Sequence, residues 1–196
     1  MLSHTGYILD MRVLMLLLLA CRVDPKPATS SSCDTELTCV DAQGEPDCED
    51  CDTTCQVDHT PAASADHLEG DIEYDSLPPA GGPHNPCWAE WGIHTEPVDA
   101  INFVHNQEHG GIIFLYNCPS GCDEELAVLT QLVQELNFLT ILAPYPDMDH
   151  RFAVTAWEHR MLMNCLDIEA LSEFYDTHVD QGPESVASMP PSDCMD

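Results

Sequence analysis

The sequence predicts an α+β domain, a small antiparallel sheet with helices packed on one face, preceded by a Cys-rich irregular segment. Three observations support this fold class. Short apolar runs rich in β-forming residues alternate with longer stretches whose apolar residues recur at helical spacing. The elements follow one another in the order β-α-β-β-α. They begin after a change of composition at about residue 71, before which large apolar side chains are few.

Three apolar runs predict the strands. The first, "GGIIFLYNC" (110–118), is short and rich in β-formers, which is typical of a buried strand. The second, "FLTILAP" (138–144), ends at a proline. The third, "RFAVTAWEHRMLMN" (151–164), is interpreted as one long strand or two short ones.

Two amphipathic stretches predict the helices. "DEELAVLTQLVQELN" (123–137) opens with acidic residues, and its apolar positions share one helical face: Leu126, Leu129, Leu132, Val133 and Leu136. "DIEALSEFYDTHV" (167–179) is capped by Asp167. A further segment, "PVDAINFVHNQEHG" (97–110), is compatible with either a helix or a turn, and Gly110 would follow the end of such a helix.

The charge of the chain excludes several function classes. The formal net charge is -30, and no Lys or Arg lies between Lys26 and Arg151. A surface with this much negative charge repels phosphate backbones and anionic lipid headgroups. We therefore expect no nucleic-acid partner. Arginine clamps for a transferred phosphoryl group are almost absent, which argues against phosphoryl-transfer enzymes. The acidic charge is otherwise explained by solubility.

The N-terminal residues predict export and a lipid anchor. Residues 1–21 are interpreted as a signal peptide, in which Arg12 precedes an apolar run (13–20) too short to span a bilayer. Asp10 is unusual in such a leader, so Met11 is a candidate for the true start. Leu18-Leu19-Ala20-Cys21 resembles a bacterial lipoprotein box, in which Cys21 would be acylated and would anchor the chain to a membrane. The alternative is ordinary secretion with an unmodified cysteine. Arg22 is not the aspartate associated with inner-membrane retention, so the outer membrane of a bacterial cell envelope is favoured over the inner.

Eleven cysteines indicate an oxidising compartment. We interpret residues 22–70 as an acidic Cys-rich stalk, 71–182 as the α+β domain and 183–196 as a flexible tail. A zinc cluster at residues 48–55 and a Cu(I) pair at residues 118 and 122 are alternatives to disulfides there. With Cys21 lipidated, the disulfide candidates are Cys33, Cys39, Cys48, Cys51, Cys55, Cys87, Cys118, Cys122, Cys165 and Cys194.

Four segments carry a family resemblance. "GGPHNPCWAEWGIHTEPV", "FVHNQEHGGIIFLYNC", "ILAPYP" and "FAVTAWEHRMLM" together resemble the bacterial domain-of-unknown-function family 3105, over roughly residues 70–182. That family shows S-G-P-H-x-P, a tryptophan-glycine element and H-N-x-E-H-G-G. Gly81 stands where the family usually has serine. The resemblance implies the fold and a secreted or membrane-anchored location, and it implies no activity.

The string "HNQEHGG" (105–111) predicts a metal site. In a helix, His105 and His109 lie about 6 Å apart on one face, whereas in a strand they would lie about 13 Å apart. His84, in the turn-rich "GGPHNPCW", is the natural third imidazole. We therefore expect His84, His105, His109 and Glu108 to bind zinc or copper in a non-enzymatic role. The outer candidates are His94, Met161, Met163 and the Cys118–Cys122 hairpin.

Two alternatives remain open for this motif. His105-x-x-Glu108-His109 matches the pattern of inverted zinc peptidases, which would make the protein a zinc-dependent hydrolase with Glu108 as general base. The other alternative is a surface interaction module, with an envelope protein as the candidate partner, in which the histidines only hold a turn. The role of the two glycines would then be to adopt positive φ angles in that turn.

Overall fold

The structure, a computed structural model, describes residues 57–184. The predicted signal peptide with Cys21, the cysteines from Cys33 to Cys55, and Cys194 lie outside these residues. The elements in chain order are β1 (Asp58–His59), β2 (Gly92–Ile93), α1 (Ala100–Glu108), β3 (Ile112–Tyr116), α2 (Asp123–Leu136), β4 (Thr140–Pro144), β5 (Phe152–Ala156), β6 (His159–Met163) and α3 (Ile168–His178).

The six strands form one sheet in the order β1-β6-β5-β3-β4-β2. This confirms the α+β class. The pairs β3–β5, β5–β6 and β1–β6 are antiparallel, whereas β3–β4 and β2–β4 are parallel, so the sheet is mixed where the sequence predicted an antiparallel one. The physical reason lies in α2, a 14-residue crossover that returns the chain to the end of the sheet from which β3 started.

Helices cover both faces of this sheet. Alternate residues of β3 point to opposite sides, and Ile112 and Phe114 enter a core that α2 and α3 complete. Ile113 and Leu115 enter a second core with Phe103 of α1. The two predicted helices, α2 and α3, thus share one face of the sheet. Helix α1 packs on the other face, where the sequence was compatible with either a helix or a turn. Burial on both sides explains why β3 is a continuous apolar run without alternation.

The ends of the two longer helices follow from local chemistry. The Asp167 side chain accepts a hydrogen bond from the Ala170 backbone N–H at 3.0 Å, which confirms it as the cap of α3. Helix α2 ends where Asn137 adopts a left-handed conformation, with φ of 41°. Arg151 donates to the buried carboxylate of Glu125 at 2.6 Å, so one of the few cations of the chain fixes α2 near the start of β5.

The cysteines of the described range are oxidised. Cys118 and Cys122 form the disulfide that the sequence favoured over a Cu(I) pair. Cys87 and Cys165 are also disulfide-bonded. Residues 57–184 therefore offer no free thiol to a metal ion. Within the same residues, no helix combines the length and the apolar character needed to cross a membrane.

The environment of His178 predicts an acid-sensitive fold. Its ring stacks on His159 with centroids 4.2 Å apart and lies 4.5 Å from the Phe174 ring. Burial, and secondly His159, lower the pKa of His178 from 6.5 to about 4. Because the neutral ring is favoured only in the folded chain, its contribution is complete above pH 6.5 and is lost as the pH falls towards 4.

We therefore expect His178→Asn to reduce the loss of stability between pH 7 and pH 5. The measurement is urea unfolding of both proteins at the two pH values. Equal losses in the two proteins would show that His178 does not contribute to the acid sensitivity.

Candidate metal centre

Helix α1 presents the motif "HNQEHGG" at its C-terminal end. His105 and Glu108 lie in its last turn, His109 is the C-cap residue, and Gly110 follows with φ of +81°. The predicted role of Gly110 as the first residue past the helix is thus confirmed. Chain reversal at this glycine lets β3 start at once from the end of α1.

Two residues of the motif hold the preceding loop on α1. The amide of Asn106 accepts from the Ala89 N–H at 2.8 Å and donates to the Ala89 carbonyl at 3.0 Å. The amide of Gln107 accepts from the Gly81 N–H at 2.8 Å and donates to the Thr155 hydroxyl at 2.6 Å. Both side chains are buried, so these bonds form away from water. They fix the loop that carries His84 beside His105.

The glycines allow the chain that follows α3 to lie directly on this turn. A Cβ on Gly110 would stand 2.5 Å from the Asp180 Cα, and a Cβ on Gly182 would stand 2.1 Å from the Glu108 carbonyl oxygen. The Asp180 N–H donates to the Gly110 carbonyl at 2.9 Å, and the Glu184 N–H donates to the Glu108 carbonyl at 3.1 Å. We call residues 180–184 the C-terminal strap, because they cover the end of α1.

Three imidazoles and one carboxylate converge beside this turn. One ligand atom from each lies within 4.8 Å of all the others. Glu108 Oε2 is 3.0 Å from His84 Nε2, 3.4 Å from His67 Nε2 and 4.0 Å from His105 Nε2. We call this set the His-Glu cluster: His67, His84, His105 and Glu108.

Backbone carbonyls orient two of the imidazoles. The Nδ1 atom of His84 lies 2.8 Å from the Gly82 carbonyl, and that of His105 lies 2.9 Å from the Asn85 carbonyl. A carbonyl oxygen only accepts, so each Nδ1 carries the hydrogen, and a neutral ring then keeps its lone pair on Nε2. In neutral rings, both Nε2 atoms would therefore point into the cluster as acceptors.

Burial keeps His105 neutral. Desolvation, and secondly the neighbouring His84, His109 and His67, lower its pKa from 6.5 to about 4. At neutral pH its Nε2 thus faces the Glu108 carboxylate as one acceptor facing another. Such an arrangement repels unless a proton or a metal ion lies between the atoms.

The cluster opens to solvent on one side. The His67 side chain is 45% exposed, whereas those of His84 and Glu108 are 0% and 3% exposed. Backbone pairing fixes the position of His67. The Leu68 N–H donates to the His84 carbonyl at 2.8 Å, and the His84 N–H donates to the Asp66 carbonyl at 3.0 Å. His67 is therefore the entry side of the cluster.

Tryptophan rings pack against the edges of the histidines. Trp157 meets His84 at right angles with centroids 6.1 Å apart. Trp88 meets His109 in the same way at 4.7 Å. These ring contacts restrict the orientation of the two imidazoles.

The structure brings together three of the four residues that the sequence selected. His84, His105 and Glu108 belong to the cluster. His109 lies beside it, with its Nε2 3.0 Å from His105 Nε2, and belongs to a second group with Glu108 and Glu184. Sequence reasoning missed His67, because it lies in a polar segment with no spacing that relates it to the motif.

The outer candidates lie elsewhere. His94 Nε2 is bonded to the Glu90 carbonyl at 2.9 Å, outside both groups. Met161 and Met163 are buried in the core beneath α2 and α3, on the face of the sheet opposite α1. With Cys118 in a disulfide, the donors of the cluster are nitrogen and oxygen.

A family model described as "Protein of unknown function (DUF3105)" matches residues 67–190. The chain belongs to this family. The matched range contains all four side chains of the His-Glu cluster and the C-terminal strap. No curated protein and no solved structure matches the chain.

The close approach at Gly110 yields a stability prediction. Gly110→Ala should destabilise the fold by about 1–3 kcal/mol more than Gly121→Ala, as overpacking does. Both glycines have positive φ, but the Asp180 backbone lies against Gly110 and no atom lies within 4 Å of a Cβ on Gly121. Urea unfolding of the two variants measures the difference, and equal destabilisation would contradict close packing of the strap.

Proposed function

We propose that the domain binds one transition metal ion, zinc or copper, through the Nε2 atoms of His67, His84 and His105 and the carboxylate of Glu108. The role is binding or handling of the ion, without catalysis. The observation that carries the proposal is the convergence of these four ligand atoms within 4.8 Å of one another.

The spacing of the donors supports this proposal. Ligand atoms bound tetrahedrally to zinc at 2.0–2.1 Å lie about 3.3 Å from one another. The contacts of Glu108 Oε2 with the three Nε2 atoms, at 3.0, 3.4 and 4.0 Å, bracket that value. Hydrogen bonds from Nδ1 of His84 and His105 to backbone carbonyls are the outer contacts that metal-binding imidazoles usually make.

The burial of Glu108 also supports a bound cation. Its carboxylate is 3% exposed, and the side chains that contact it in the described residues are histidines. A buried carboxylate without a counter-charge is unfavourable by several kcal/mol, on the order of the penalty for one desolvated ion. A divalent ion would supply the counter-charge, and the net charge of -30 would favour its approach.

The donor set favours zinc(II) or copper(II) over copper(I). Thiolate and thioether ligands select copper(I), whereas imidazole and carboxylate suit the divalent ions. The cysteines in residues 57–184 are disulfide-bonded, and both buried methionines of β6 face away from α1.

The structural alternative has partial support of its own. Asn106, Gln107 and the two glycines of the motif make packing and hydrogen-bonding contacts that need no metal. In this alternative a proton shared between His84 and Glu108 replaces the ion. The protein would then be an interaction module with an envelope protein as partner, and its histidines would affect stability alone.

The hydrolase alternative assigns Glu108 a different task. A general base activates a water molecule and does not itself bind the metal. Glu108 Oε2 instead lies 3.0 Å from His84 Nε2, among the atoms that would bind the metal. If Glu108 is a ligand, Glu108→Gln weakens metal binding. If it is a general base, the same variant keeps the metal and loses turnover.

We expect the full chain, exported to an oxidising periplasm, to carry one tightly bound equivalent of zinc or copper by plasma mass spectrometry. His67→Ala and Glu108→Gln should each lower the affinity tenfold or more, a change of about 1.4 kcal/mol per factor of ten. His67 is exposed, so its substitution leaves the core intact. His94→Ala is the matched control, because His94 lies outside both groups.

Two results would contradict the metal proposal. One is an absence of metal from the parent protein after loading with zinc and copper. The other is an unchanged affinity in both His67→Ala and Glu108→Gln. Either result would leave the structural alternative, which circular dichroism melts of the same variants would then examine.

We further propose that the chain is exported and anchored to the bacterial cell envelope by acylation of Cys21, at the outer membrane in preference to the inner. The Leu18–Cys21 box supports the anchor, and the disulfide in the domain supports an oxidising compartment.

Cys21→Ser should move the protein from the membrane fraction to the soluble fraction and abolish its labelling by an alkyne fatty acid. The reason is that the acyl chains supply the apolar area that holds the chain at the bilayer. Cys33→Ser is the matched control and should keep the label. A labelled Cys21→Ser protein would refute the anchor.

A further inference from the structure

A second set of donors also converges on Glu108. Ligand atoms of Glu108, His109 and Glu184 lie within 4.8 Å of one another. Glu108 and His109 are buried, and Glu184 is exposed. Glu108 thus belongs both to this group and to the His-Glu cluster.

We propose that this second group holds a second divalent cation, so that the domain contains a two-ion centre in which Glu108 is the shared carboxylate. This inference rests on the proposed function, because the first ion is the one bound by the His-Glu cluster.

The geometry around His109 supports two neighbouring positions. Its Nε2 lies 3.0 Å from His105 Nε2, and its Nδ1 lies 3.1 Å from the Glu184 carbonyl oxygen. The ring therefore stands between the cluster and the C-terminal strap. In two-metal sites the ions lie about 3.5–4 Å apart, a separation that one carboxylate spans with its two oxygens. Glu108 Oε2 contacts the three histidines of the cluster, so in the proposed centre Oε1 would be the oxygen that binds the other ion.

The strap places Glu184 by its backbone. The Glu184 N–H donates to the Glu108 carbonyl at 3.1 Å, and its carbonyl is bonded to His109. Gly182 brings the strap this close, since any Cβ there would overlap the Glu108 carbonyl. These contacts hold Glu184 at the end of a segment that is hydrogen-bonded to the end of α1.

The second position differs chemically from the first. It offers one imidazole and two carboxylates, whereas the His-Glu cluster offers three imidazoles and one carboxylate. An oxygen-rich set suits zinc, manganese or iron(II) better than copper. Because Glu184 is exposed, solvent screens its charge more than that of Glu108, so the second ion binds more weakly.

Zinc titration of the metal-stripped full chain by calorimetry tests this inference. We expect two equivalents per chain, one tight and one weaker. Glu184→Gln should remove the weaker one, because it removes the carboxylate and keeps the backbone contacts to Glu108 and His109. Glu169→Gln is the matched control, since Glu169 is exposed on α3 outside both groups, and it should keep two equivalents.

Cobalt(II) substitution tests whether the two ions are neighbours. Two cobalt ions that share Glu108 should couple magnetically, and the electron paramagnetic resonance signal should fall as the second equivalent is added. Glu184→Gln should restore an uncoupled signal. An uncoupled second cobalt would lie elsewhere, for example near the rings of His59, His159 and His178, and would overturn the inference.

Failure of this inference is distinguishable from failure of the proposed function. One equivalent in both the parent and Glu184→Gln proteins leaves the first ion in place and overturns the second. One equivalent whose affinity falls in His109→Ala makes His109 a further ligand of the first ion, and also overturns the inference. No bound equivalent in the parent protein refutes the proposed function, and the inference with it.

Discussion

The 3.0 Å contact between the Glu108 carboxylate and His84 Nε2 is the interaction on which the rest of the site depends. It joins the last turn of α1 to a loop 24 residues earlier in the chain, with both side chains buried. A carboxylate in that position needs a counter-charge, and the near absence of Lys and Arg leaves histidines, with a proton or a metal ion, to provide it. The chemistry of the site thus follows from the charge composition of the chain.

The residues of "HNQEHGG" contact different parts of the fold. His105 and Glu108 face the cluster, whereas Asn106 and Gln107 bind the loop that carries His84. Gly110 admits the strap on the remaining side, whereas Gly111 lies against the Trp91 ring. A short helix end thereby contacts three separate segments of the chain. This explains how a nine-residue helix positions a buried polar cluster with little apolar area of its own.

Local patterns predicted the local features. The spacing of apolar residues identified α2 and α3, Asp167 predicted a cap that the structure contains, and the i, i+4 argument placed His105 and His109 on one helix end. His84 was found because its turn-rich loop left it free to fold onto the pair. His67 and Glu184 were not found, since a parallel bridge and the strap bring them to Glu108 from 41 and 76 residues away. No periodicity in one sequence encodes such pairings. The parallel register of β3 and β4 was missed for a similar reason, because strand direction depends on the crossover rather than on either strand.

The strap also sets the order in which the site is built. Its donors come from residues 67, 84, 105 and 108, and residues 180–184 lie on the turn that follows two of them. A chain that leaves the ribosome or an export channel N-terminus first holds every histidine of the cluster long before the strap emerges. Contacts between residues so far apart in the sequence require the closure of a long loop of chain. The contacts of the strap with the end of α1 can therefore form only after every residue of the His-Glu cluster has been synthesised.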